Sequence, residues 1–239
     1  MYYAFDPTMI LLIIGAALTL IAQGMVSSAF NRYSKVGGKR GYTGAEVAEM
    51  ILRTNGVNNV SVQGIPGKLT DHYDPRSKSV NLSETVYGST SIAAVAVAAH
   101  ECGHAIQHNV GYFPLNFRSS LVPLANIGSK LGIPIVILGW MLGLEFPLAN
   151  GSYFSLAEIG IWIFAIAVLF QFVTLPVEFN ASARALRILS QSDMLEKSEM
   201  GMARKVLFAA ALTYVAAAAS SVLQLIRLIL LNGNRKGRR

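Results

Sequence analysis

Apolar and polar positions divide the chain into long hydrophobic runs and one polar block. Thr8–Ser28, Leu121–Leu144, Gly160–Val177 and Val206–Ile226 are almost wholly apolar. Each is close to the roughly 20 residues that a helix needs to cross a bilayer. The first run is expected to span rather than to be a cleaved signal peptide, being longer than a signal core and without a basic region ahead of it. Between the first run and the second the pattern turns globular. Thr43-Gly-Ala-Glu46 is a capping box that predicts a helix to about Thr54, stopped by Asn55-Gly56. Val57–Gln63, Lys68–Asp71 and Lys78–Leu82 read as short strands, with Asp74-Pro-Arg-Ser77 as a turn. Ser91–His108 reads as a helix ending near Asn109–Gly111, its first ten residues small, apolar and free of Gly and Pro. Glu145–Tyr153 reads as a loop without Lys or Arg, Pro176 as the end of the third apolar run, and Val177–Arg184 as the start of a polar helix.

The domain organisation expected from this pattern is an N-terminal transmembrane helix (1–30) and an α+β region (31–118). A transmembrane hairpin (119–177), a polar helix (178–205) and a fourth apolar helix with a basic tail (206–239) follow. The 239 residues are 53% hydrophobic and only 14% charged, a balance that excludes an ordinary soluble enzyme. The formal charge of +7 comes from basic residues clustered at the ends of apolar runs, without interleaved aromatic residues. They are topology signals in a lipid bilayer, and nucleic acid is not an expected partner. Asp6 precedes the first run while Arg32, Lys35, Lys39 and Arg40 follow it, which places residues 41–118 in the cytoplasm. The basic tail conflicts with this assignment, because four spans return the C-terminus to the outside. The single Cys102 excludes an internal disulfide and is expected to be a packed thiol.

The chemistry lies in Ala98–His108, where His100, Glu101 and His104 form H-E-x-x-H. Imidazoles four residues apart project from one helical face and can share a tetrahedral zinc. Glu101, beside the metal, can take a proton from zinc-bound water and return it to a leaving amine. His108 lies two turns, about 12 Å, from His100 on an unbroken helix. That is too far for both to reach one ion, and His108 is expected to be a surface or supporting residue. His72 reads as a turn histidine. A strand just before such a helix either holds an extended peptide on a free edge or forms a plain hairpin, and both readings of Lys78–Leu82 stand.

These residues resemble the YugP-type membrane zinc metallopeptidases. The similarity covers Leu69–Pro75, Asn81–Ser83, Ala99–Gln107, Glu178–Ser182 and an N-terminal span. More distantly the chain is similar to HtpX-type and CAAX-prenyl-protein endopeptidases, where H-E-x-x-H and a later Glu-x-x-Ala-Asp bracket a transmembrane hairpin. The resemblance implies a gluzincin site with His100, His104 and Glu178 as metal ligands and Glu101 as base. The hairpin would return Glu178 to the face of the bilayer that holds the two histidines; the other reading of Glu178 is an interfacial carboxylate balancing Arg184. Ser182 stands where the distant group has Asp, so a carboxylate-histidine contact there would be weakened or replaced.

The expected fold is thus a mainly α integral membrane protein with a small α+β zincin-type, gluzincin-like region. The expected function is a membrane-embedded endopeptidase with one catalytic Zn2+, cutting membrane or membrane-proximal proteins from the cytoplasmic side of the plasma membrane. Tyr73, Arg184 and His72 are candidate oxyanion partners. The other class of function is a non-enzymatic membrane adaptor with a structural zinc site. Structural sites are usually closed and rich in Cys, whereas three ligands leave a position for water.

Overall fold

The computed structural model describes residues 6–147, 149 and 153–236. The elements in chain order are α1 (Met9–Tyr33), α2 (Gly44–Thr54), β1 (Ser61–Ile65), β2 (His72–Asp74), β3 (Ser79–Ser83), α3 (Glu84–Tyr87), α4 (Ile92–Asn109), α5 (Phe113–Leu142), β4 (Glu145–Pro147), β5 (Tyr153–Ser155), α6 (Leu156–Gln191) and α7 (Met200–Lys236). Four of the helices, α1, α5, α6 and α7, are long and apolar enough to cross a membrane. Residue contacts divide the chain into two compact units.

The first unit comprises Met1–Ile21, Phe117–Thr174 and Tyr214–Arg239. Within it α5 and α6 approach at backbone distance. A Cβ on Gly139 would lie 2.7 Å from the Ala157 Cα and one on Gly132 2.9 Å from the Phe164 Cα. Close approach between small residues is how helices gain contact where no hydrophobic driving force separates lipid from protein. Glu145–Tyr153, expected as a loop, begins and ends in strand: β4 pairs antiparallel with β5, Phe146 opposite Phe154. Ser155 and Glu158 then cap α6 reciprocally, at 2.8 and 3.2 Å. Asp6 and Arg227 form an ion pair at 3.1 Å, and Arg235 stacks on Trp140 with 5.0 Å to its centroid.

The second unit, Ala22–Asn116 with Leu175–Thr213, contains the chemistry. The Thr43–Glu46 capping box opens α2 as expected. Ser91 caps α4 by accepting from the Ala94 amide at 3.2 Å. Nearly every residue of α4 from Ile92 to Gln107 is buried, packed with Val47, Ala48 and Ile51 of α2 and Ala185 and Leu189 of α6. The sheet order is β1-β3-β2, with β1 parallel and β2 antiparallel to β3. All five residues of β3 are buried, as a central strand requires.

Two strands differ in position from the sequence pattern. Val57 turns back to donate to the Leu52 carbonyl at 2.9 Å, so β1 begins four residues later. Leu69 has φ +58°, outside the extended region, and β2 begins only at His72. Because β3 is paired on both sides, the Lys78–Leu82 segment has no free edge; the hairpin reading holds. Pro176 does not end the third apolar run either. Helix α6 continues through it to Gln191. A proline removes one N–H, freeing the Phe172 carbonyl, and apolar helices tolerate this where side chains and neighbouring elements satisfy the freed group. Glu178 therefore projects from an established helix.

Candidate metal centre

His100 and His104 sit one turn apart on α4, ring centroids 4.8 Å apart and edge-on. Glu178 reaches them from α6, and it is 2% exposed. Its Oε2 lies 3.4 Å from His100 Nε2 and 3.5 Å from His104 Nε2. All three ligand atoms lie within 4.8 Å of one another. Ligands at about 2.1 Å from a tetrahedral zinc are separated by about 3.4 Å along each edge. The spacing of the carboxylate from both imidazoles is therefore compatible with one shared tetrahedral ion.

The far sides of both rings are engaged. Ser182 Oγ meets His100 Nδ1 at 3.1 Å, and Gln107 Oε1 meets His104 Nδ1 at 3.1 Å. Holding Nδ1 leaves Nε2 of each ring to face the common point, and such support also orients and strengthens a ligating imidazole. The contact expected to be weakened at Ser182 is thus replaced by a hydroxyl. Burial pushes His104 toward the neutral form, but its hydrogen bond to the Glu178 carboxylate and the charges of Glu101 and Glu178 outweigh it and raise its pKa.

Glu101 is buried, 8% exposed, and close enough for its charge to act on His104. Cys102 is fully buried on another side of α4, its Sγ 3.6 Å from the Ala48 carbonyl. Burial pushes that thiol's pKa up, so it is neither a nucleophile nor a ligand here. The remaining candidates are occupied elsewhere. His108 Nδ1 is hydrogen-bonded to the Tyr73 hydroxyl at 2.7 Å. His72 donates to the Thr70 carbonyl at 2.8 Å and accepts from Asn81 at 3.2 Å. Arg184 donates to Asn180 at 2.8 Å and lies over the Tyr112 ring.

A model of the family described as "Putative neutral zinc metallopeptidase" matches residues 8–233. The chain belongs to this family. A curated relative, "Putative membrane protease YugP" of Bacillus subtilis (strain 168), is 46% identical over 225 residues, covering 93% of this chain and 96% of the relative. No solved structure matches the chain. Membership agrees with the resemblance drawn from the motifs, and the family's name implies zinc.

Two residues of the centre were not singled out by sequence reasoning. Gly103, one of the variable positions of H-E-x-x-H, is where α6 crosses: a Cβ there would lie 2.7 Å from the Ala181 carbonyl oxygen. Gln107 is fully buried. Its signal was available, since a polar residue three positions after His104 shares that histidine's face of an apolar helix.

Proposed function

We propose that the protein is a membrane-embedded zinc-dependent endopeptidase that hydrolyses peptide bonds of membrane or membrane-proximal proteins. His100, His104 and Glu178 hold the metal and Glu101 is the general base. The observation that carries this reading is the convergence of three ligand atoms within 4.8 Å, the carboxylate 3.4 and 3.5 Å from the two imidazoles, with a buried carboxylate on the residue next to His100. When bound, zinc supplies Lewis-acid polarisation of the scissile carbonyl and acidifies the attacking water. Glu101 receives the proton of that water and delivers it to the departing amine. Glu178 and the two imidazoles fix the position of the charge, and Ser182 and Gln107 keep the rings from turning. β2 lies at the sheet edge and packs near α4 through the Tyr73–His108 bond. Its outer edge offers main-chain groups to an extended substrate segment.

A structural zinc adaptor would need a closed ligand set. The group among the described residues has three members and no cysteine, which favours an open catalytic position. The active unit faces the cytoplasm on the positive-inside reading of Arg32, Lys35, Lys39 and Arg40. Pairing of Arg227 with Asp6 and stacking of Arg235 on Trp140 reduce the weight of the C-terminal charges against that orientation.

The test is cleavage of an unfolded protein by detergent-purified material loaded with zinc. Glu101→Gln should retain a full zinc equivalent and lose about 10²–10⁴-fold in rate. Glu178→Ala should lose zinc and activity together. Wild-type turnover by a folded Glu101→Gln protein would remove the proposed base.

A further inference from the structure

We infer that Gln107 is a positioning residue, tying His104 to the helix that carries Glu178, so that one buried amide controls both the tautomer of one ligand and the placement of another. This rests on the metal-centre reading above. The side chain has no exposed surface, so its polar atoms need partners inside the fold. Its Nε2 donates to the Val177 carbonyl at 2.8 Å and to Asn180 Oδ1 at 3.0 Å, and its Oε1 faces His104 Nδ1 at 3.1 Å.

The direction of this network is fixed from its outer end. Arg184 Nε can only donate, and it is 2.8 Å from Asn180. Asn180 must therefore present its oxygen to both Arg184 and Gln107. A carbonyl and an amide oxygen then both face Gln107, so its NH2 group must point at them, and its oxygen at His104. An oxygen facing Nδ1 requires a proton there, so in the neutral imidazole that ligates a metal it is Nε2 that carries the lone pair toward the common point with Glu178. Ser182 cannot impose this on His100, because a hydroxyl rotates to suit either tautomer.

The same amide acts on the third ligand. Val177 precedes Glu178, and Asn180 lies two residues beyond it, so Gln107 grips α6 on both sides of the carboxylate. At Gly103 the Ala181 carbonyl limits how closely α6 can approach; the amide prevents it from moving away.

The experiment measures zinc affinity by chelator competition on the full-length protein in detergent, with the visible spectrum of the cobalt-substituted form and the melting temperature of the metal-free form beside it. Gln107→Met, similar in volume, should bind zinc about 10- to 100-fold more weakly and shift the cobalt bands, although all three ligands are present. Gln107→Glu keeps size and an oxygen toward His104 but loses the N–H pair, and should also bind more weakly; it stands in if the Met variant does not fold. A packing role alone would lower the metal-free melting temperature and leave the zinc affinity of folded protein unchanged. Wild-type zinc affinity in either folded variant, with Glu178→Ala defective in parallel, overturns the inference. Wild-type affinity in Glu178→Ala itself would instead show that the metal-centre reading had failed.

Discussion

Gly103→Ala adds one methyl group where α4 and α6 cross, and it tests whether that crossing sets the metal geometry. The new Cβ would sit 2.7 Å from the Ala181 oxygen and 3.1 Å from its Cα. Ordinary contact begins near 3.4 Å, so the helices must part by up to roughly 0.7 Å, because close-packed backbone has no flexible end to give way. Overpacking of this kind costs about 1–3 kcal/mol. Alanine returns about 1 kcal/mol through its helix propensity, so the metal-free protein should lose only about 0–2 kcal/mol. The metal is the sharper reporter. Ligand distances must hold to within about 0.2 Å, and the shift falls between the helix bearing His100 and His104 and the helix bearing Glu178. Zinc affinity should fall at least about tenfold. Gly201→Ala is the matched control, since a Cβ there meets nothing within 4 Å. It should melt at or above the wild-type temperature and bind zinc normally. Chelator competition and thermal melting of both variants in one detergent decide the matter. Gly103→Ala protein with the zinc affinity of Gly201→Ala would refute the argument that this contact places Glu178.

Further outcomes follow from the same geometry. Ser182→Ala removes the partner of His100 Nδ1 and should weaken zinc binding by about tenfold; an unchanged dissociation constant would mean that the hydroxyl does not support the ligand. Exposed Ser77 and Ser152, the latter outside the described residues, test the orientation when replaced singly by cysteine in intact cells. Native Cys102 is buried and silent. An impermeant thiol reagent should label Ser152→Cys and spare Ser77→Cys, and the opposite pattern would invert the topology.

What the sequence determined alone was local. H-E-x-x-H carries its own geometry, because 3.6 residues per turn place His100 and His104 on one face wherever the helix lies. The capping box at Thr43–Glu46, the length of the apolar runs and the inward thiol of Cys102 were legible for the same reason: each depends on neighbours within a turn or on a run of one polarity. Resemblance to a known family, rather than spacing, singled out Glu178. Tertiary structure decided the rest. Neither β1 nor β2 begins where the alternation placed it, because Val57 closes onto Leu52 and Leu69 leaves the extended region, and only pairing partners fix a strand's ends. Pro176 is a helix breaker in isolation, yet α6 passes through it; what surrounds a helix, not its propensity, decides whether the lost bond ends it. The meeting of Glu178 with the histidines, the closeness allowed by Gly103 and the grip of Gln107 on Val177 and Asn180 are contacts between residues seventy or more positions apart. No periodicity within either segment encodes such a contact, since it exists only once two helices have found their crossing point.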